Sequence, residues 1–432
     1  MALNSQAVAL NDTISAANPA VLDLLSERGK RIFFPKEGIL AQTAQADGKD
    51  INATIGAAFE DDGTIMHLGS IAKNVSLDPS RIFPYAKGFG RPDLRGRWKE
   101  MMIAKNPSLA KCAISLPVAT AALTHALSIA GYLFVHEGDE IILPDLYWGN
   151  YRLLFCNNYG ASIKTFTTFE GNGFGTENLK HALADGPAGK KLLLLNFPNN
   201  PTGYAPTSGE ADRIVEIITE SAQAGNHIVV MTDDAYFGLA YEDGIVPESL
   251  FTGLAGAHEN ILAVKLDGAT KEDFVWGFRV GFITFGCKRN SEEMYNALIA
   301  KTAGAIRGTI SNAPNISQSL LLEAYDDKEY AAQKQAKFAT LKKRYQLISK
   351  LLSDTAEYAD YFQPLPFNSG YFMCVRLSRP ETEKIRQLLL DKYSTGLIAI
   401  SPTIFRIAYS STPTDKLEKL FHNLYLACKE TF

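Results

Sequence analysis

The sequence predicts an α/β protein, with a large domain on a mostly parallel sheet flanked by helices and a smaller α+β domain beside it. From about residue 114 to 290, short apolar runs (EIILPD, ASIKTF, LLLLNF, HIVVMTD, ILAVKLD, FRVGFITFG) alternate with helical stretches such as ATAALTHALSIAGYLF and EADRIVEIITESAQAG. Apolar runs that end in turn residues read as buried parallel strands, and their alternation with helices specifies a sheet covered on both faces. Beyond about residue 330 the strands and helices segregate, as in a small α+β unit. The length, 432 residues, exceeds one ordinary core.

Taken in order, the first twenty residues mix small polar and isolated apolar side chains without a period, and read equally as a docking arm or a frayed end. The sheet region follows. The charged stretch YAAQKQAKFATLKKRYQLISKLLSD has apolar positions at helical spacing and leads out of the large domain. The remainder reads as a strand GYFMCVRL, a helix through ETEKIRQLLLDKYS, two short strands LIAI and FRIAYSS, and a helix from Thr414 to the end.

Composition narrows the function. A formal net charge of −4 leaves no electrostatic footprint for nucleic acid or an anionic membrane. The five cysteines, at 112, 156, 287, 374 and 428, are odd in number and lack metal-ligand spacing, so reduced thiols in the cytoplasm and no metal are expected. The N-terminus lacks a basic region before an apolar core, and no run of about 18 apolar residues occurs, so neither export nor a membrane span is expected.

Three polar clusters close apolar runs: Asn200-Pro-Thr-Gly203, Asp233-Asp-Ala-Tyr236, and Lys271 with Arg279 eight residues on. Ligands collect at the carboxyl ends of such strands, so the clusters converge on one pocket. A lysine beyond a strand forms a Schiff base with an aldehyde, an arginine fork grips a phosphate, and Asp233 suits a pyridinium nitrogen. Tyr236 and Asn200 suit a phenolic oxygen. Aldehyde, phosphate, ring nitrogen and phenolate occur together on pyridoxal 5'-phosphate.

Nine segments stand in an order that resembles the fold-type I aminotransferases of class I and II, nearest in motifs to the aspartate and aromatic group. They are INATIGAAFEDDGT, FPYAKGFGRPDLRGRW, PVATAALTHAL, PDLYWGNYRLLF, NNPTG, DDAY, GATK with Arg279, AIRGTISNAP and TIFRIAYSS. The resemblance implies a pyridoxal-phosphate enzyme that moves an amino group from an L-amino acid (aspartate, glutamate or aromatic) to a 2-oxo acid such as 2-oxoglutarate, in ping-pong fashion. It also implies a homodimer with shared sites, an arm at 1–20, a discontinuous small domain at 21–65 and 335–432, and a large domain at 66–334.

By the same resemblance Lys271 holds the coenzyme and moves the proton, with Asp233 and Tyr236 beside it. Arg279, Thr120 and the backbone of Ala119 and Ala121 hold the phosphate, with Thr120 opening a helix that starts near Ala119. Trp148 lies on the ring, and Tyr85 reaches the neighbouring subunit's phosphate. Arg406, with Asn200 and the backbone near Gly56, grips the substrate α-carboxylate, and Arg307 reads a distal carboxylate across the dimer interface. The family's usual glycines are replaced at Ala119 and Ala121, its usual serine at Gly268, and neighbours of Arg307 at Gly308 and Ile310. Thr270 is the candidate to replace the lost hydroxyl.

Each assignment has a plainer rival. Lys265 competes with Lys271 but falls inside a strand run, and Asp234 competes with Asp233, although a period of two sends it to the other face. Glu272 and Asp273 offer Lys271 and Arg279 ordinary ion pairs. Asn200 suits a turn, Tyr236 and Trp148 suit a core, and Arg406 suits an edge-strand charge. The alternative functions are a lyase or decarboxylase using the same coenzyme, or a non-catalytic ligand-binding relative. A dinucleotide fingerprint is absent, because GFGRPD lacks a preceding strand and the following glycine spacing.

Overall fold

The computed structural model describes residues 3–35 and 38–432. Residues 1–2 of the expected arm, and residues 36–37 of the segment assigned to the small domain, lie outside the described residues. Seven strands form the main sheet, in the spatial order Val118–Thr120, Gly281–Gly286, Ile261–Asp267, His227–Asp233, Lys190–Asn196, Glu140–Pro144 and Ser162–Phe166. Only the Gly281–Gly286 strand runs against its neighbours; the other pairs are parallel. Every residue of Leu192–Asn196 is buried, as expected for strands covered on both faces.

A second sheet of four antiparallel strands, in the order Phe362–Pro364, Phe372–Leu377, Ile404–Ala408, Ile398–Ser401, forms the smaller unit. Ile51–Asn52 pairs in parallel with Thr395–Gly396, so an early segment is stitched to a late one. The Tyr330–Asp354 helix is continuous through residue 335. One apolar cluster takes in Trp98 and Phe282 against the main sheet and Phe372, Phe405 and Leu420 of the smaller unit. Five sulfhydryls are free. Among the described residues, no helix is long and apolar enough to cross a membrane.

Three local expectations change. The aperiodic N-terminal stretch is a helix, Ser5–Ala17, capped by the Asn4 side chain on Gln6 N. The last helix begins at Leu417, after a tighter turn at Thr414–Lys416, because Asp61 draws the Thr414 amide and hydroxyl (2.9 and 2.8 Å). The helix expected near Ala119 begins at Ala122. Val118–Thr120 pair with Ile283–Gly281 as a ladder, which holds that backbone extended, and the chain enters the helix only through Ala122 at φ +67°.

The Asn200–Gly203 turn packs against the smaller sheet. Gly203 has φ +70°, and a Cβ there would meet Phe372 O at 1.8 Å, so only glycine is accommodated. Asn368 N and Ser369 N both donate to Gly203 O at 2.9 Å.

Candidate active site

Strand register delivers the first groups. Asn196 and Asp233 end adjacent parallel strands and lie opposite each other. Asn196 Nδ2 donates to Asp233 O, and its Oδ1 accepts from Asn200 N, both at 2.8 Å, so one side chain ties the Asn200 turn to the Asp233 strand. Asp233 and Asp234 then diverge. Asp233 Oδ2 accepts from Tyr151 OH at 2.7 Å, while Asp234 Oδ2 accepts from Ser249 Oγ at 2.6 Å and from Lys265 Nζ. Burial pushes the Asp233 carboxyl above its ordinary range, opposed by the Tyr151 hydroxyl and the Lys271 charge. Lys265, the rival lysine, is fully buried in an ion-pair cluster with Asp234 and Asp267.

Lys271 sits on the short Ala269–Glu272 helix after the Ile261–Asp267 strand. Its amine stands 5.0 Å from the centre of the Tyr236 ring. Burial and the nearby Arg279 charge bring it down to about 8, against the pull of Asp233. Neither neighbouring carboxylate reaches it: Glu272 binds Lys105 and Lys334, and Asp273 binds Lys334, Tyr325 and Tyr330. The glycine at 268 has a steric reason, since a Cβ there would come within 2.6 Å of Val280 O and 2.7 Å of Gly281 Cα. No serine fits without moving backbone.

Arg406 lies on an inner strand of the smaller sheet, paired on both sides with Cys374 and Ile398, so it is not an edge charge. It is 3% exposed. Its Nη2 donates to Thr54 O at 2.8 Å, its Nη1 to Asn200 Oδ1 at 3.4 Å, and its guanidinium stacks 4.4 Å over Phe372. Nε is buried with no partner, and among the described residues Arg406 enters no ion pair. A buried arginine without an anion is costly, and an anionic ligand removes the cost.

A cavity of ≈ 300 Å³ is bounded by Lys271, Tyr236, Asp233, Asn200, Trp148, Arg406 and Gly56, so the structure brings these seven candidates together. Tyr236 is wedged against Tyr371 and Phe372 (5.2 and 5.7 Å between ring centres), and burial pushes its hydroxyl up, opposed by the Arg406 charge and the Asn200 side chain. Trp148 meets Tyr151 edge to face at 5.5 Å.

The other candidates stand outside that lining. Arg279 is exposed at φ +56° and donates to Trp276 O at 3.2 Å. At the start of the Ala122–Phe134 helix, Ala119 N donates to Phe89 O (3.1 Å), Thr120 Oγ1 to Ala122 O (3.0 Å) and Ala121 N to His125 Nδ1 (3.1 Å), so these donors are bonded within the chain. Tyr85 is 92% exposed, and Arg307, in the last turn of Glu292–Thr309, donates to Ser311 Oγ at 2.5 Å.

Several members of the site escaped the sequence reading, among them Asn196, Phe372, Tyr151 and Thr54. Tyr151 follows Trp148 by three residues, a spacing that puts both on one side of a helical turn, and that spacing was the available signal. Thr54 contributes only its carbonyl, for which no side-chain signal exists.

A pyridine aldehyde with a phosphate fits this donor set. A cationic amine of lowered pKa and a buried carboxylate bound one cavity, with a tyrosine–asparagine pair between them and an indole wall. Thr270 Oγ1, on the residue before Lys271, is buried without a partner, so one hydroxyl donor of this turn is unused.

In architecture the chain is similar to solved fold-type I aminotransferases. An aminotransferase from Anaerococcus prevotii superposes with a TM-score of 0.80 at 24% identity, over 93% of this chain and 98% of that one. The family model described as aminotransferase class I and II matches residues 61–424, and the chain belongs to that family. Among curated relatives, the aspartate aminotransferase of Bacillus sp. (strain YM-2) is 27% identical over 49% of this chain and 50% of its own length, so the matched stretch spans half of that relative. The tyrosine aminotransferase of Klebsiella pneumoniae is 21% identical over 81% of this chain and 87% of its own.

Proposed function

We propose that the protein is a pyridoxal-phosphate-dependent aminotransferase, which passes an amino group from an L-amino acid to a 2-oxo acid such as 2-oxoglutarate. One observation carries the reading. A lysine amine held at about 8 shares a cavity with a buried carboxylate and with an arginine whose Nε has no partner. When bound, the coenzyme supplies an electron-withdrawing ring that stabilises negative charge at the substrate α-carbon.

The chain's own residues do the rest. Arg406 binds the α-carboxylate through Nε and a terminal nitrogen, and Asn200 and the backbone at Gly56 complete that seat. Lys271, whose amine brought down to about 8 has a larger uncharged fraction near neutral pH than an ordinary lysine, takes the proton from the α-carbon and returns it on the acceptor side. Asp233, fixed by Tyr151, keeps a ring nitrogen protonated, and Tyr236 with Asn200 bonds the ring oxygen. Trp148 holds the ring plane and excludes water. Arg279 and Thr270 are the phosphate donors. In this reading Ala119, Thr120 and Ala121 turn amides and a hydroxyl to the phosphate only after releasing their present partners. The exposed Tyr85 and Arg307 serve a second subunit's site in a cytoplasmic homodimer, and residues 21–65 with 335–432 move as the small domain.

The coenzyme-loaded protein given single L-amino acids with 2-oxoglutarate should form glutamate in step with the matching 2-oxo acid. Release of carbon dioxide or ammonia without glutamate would overturn the assignment in favour of a lyase or decarboxylase.

A further inference from the structure

The segment carrying the reactive lysine is unusual in its charges. Three carboxylates, Asp267, Glu272 and Asp273, lie within four residues of Lys271; Asp267 and Asp273 are buried, the Glu272 side chain is 9% exposed, and none of them pairs with the Lys271 amine. Asp267 accepts from Trp98 Nε1 at 3.2 Å and lies 3.4 Å from Lys265 Nζ. Glu272 binds Lys105, from the end of the Pro92–Lys105 helix, and Lys334 at 3.1 Å. Asp273 binds Lys334 at 3.2 Å and the hydroxyls of Tyr325 and Tyr330. Burial works against the charge on Glu272, yet Lys105 and Lys334 hold it down to about 2.

The turn needs outside support. Its helix is four residues long and its N-cap, Gly268, has no side chain to offer, so its own hydrogen bonds fix it weakly. We propose that Lys105 and Lys334 are positioning residues for the reaction: they bind the carboxylates that follow Lys271 from behind its turn, fixing where the amine stands and keeping those charges off it. Lys334 belongs to the Tyr330–Asp354 helix, so the hold on the reactive turn comes from the element that leads into the smaller unit.

The inference rests on Lys271 being the reactive amine, and the experiment separates the two. Coenzyme-free full-length protein is acylated with acetic anhydride across a pH series, and modification of Lys271 is quantified by peptide mapping. A wild-type midpoint near that of a free lysine, about 10.4, would sink the reading of Lys271 itself. With a low wild-type midpoint, Lys334→Met leaves two carboxylates short of a cation and should raise it by about half a unit to one unit. Glu272→Gln leaves an excess cation and should lower it, and Lys334→Arg should restore the wild-type value. Lys337→Met, on the same helix but paired with Glu60, should leave it unmoved. Midpoints that do not move, or that rise in both Lys334→Met and Glu272→Gln as mere loosening would make them, overturn the proposal. A Lys337→Met midpoint that follows Lys334→Met does the same. Should Lys334→Met fail to fold, the direction of the Glu272→Gln shift decides alone.

Discussion

Tyr151→Phe removes one oxygen from the site and little else. The ring stays, so its edge-to-face contact with Trp148 at 5.5 Å and its place in the core are kept. What is lost is the 2.7 Å bond to Asp233 Oδ2, in a setting where burial already raises the carboxyl. A hydrogen bond to a charged acceptor contributes about 1.5–3 kcal/mol, which corresponds to roughly a 10- to 150-fold change in an equilibrium or rate constant. The loss falls on the charged form of Asp233, so its pKa rises further and the carboxylate is lost at a higher pH than in the wild type. Coenzyme affinity, measured by absorbance titration, should fall within that range. The acid limb of the kcat/KM profile should move to higher pH. A variant that binds coenzyme within about twofold of wild type with an unmoved acid limb would show that the Tyr151 hydroxyl does not tune the ring-nitrogen partner, and the reasoning about Asp233 would fall with it.

Four further outcomes are expected. Arg406→Lys exchanges a planar fork for a point charge, so KM should rise about 10- to 100-fold with a smaller change in kcat, and a pure kcat effect would contradict a carboxylate seat. Gly268→Ser places a Cβ 2.6 Å from Val280 O, so it should cost about 1–3 kcal/mol of stability; an unshifted urea midpoint would refute the steric account. Arg307→Ala should raise KM for dicarboxylates far more than for aromatic or aliphatic amino acids, and equal losses would remove its selective role. The folded Lys271 amine titrates at about 8, against about 10.4 unfolded. The cost of burying its charge is therefore complete below pH 8 and disappears as pH rises past the unfolded value. Relative to Lys271→Met, the coenzyme-free wild type should gain stability across that window, as read from urea midpoints.

Much of the sheet was legible because its strands centre on apolar runs closed by polar turns, and a period of two separates Asp233 from Asp234 in the sequence itself. Lys271 was legible for a related reason, since it follows a strand by a short turn whereas Lys265 sits within one. The stretch around Thr120 misled because VATAAL is as good a helix as a strand on its own; the ladder to Gly281–Ile283 decides, and that partner is more than 150 residues away. The Asn4 cap was readable as a helix signal but had no amphipathic period behind it. Thr54 and Phe372, which hold Arg406, act through a carbonyl and a ring face, and neither leaves a pattern along the chain.

Arg406 meets the Thr54 carbonyl across 352 positions of sequence, and Ile51–Asn52 closes its ladder only with Thr395–Gly396. During synthesis Lys271, Asp233 and Asn200 therefore emerge well before Arg406 exists. A nascent chain that has assembled the sheet lacks the Arg406 wall of the cavity until its closing segment arrives. Pairings of such long range are slow to form, so ligand competence should be the last property the protein acquires.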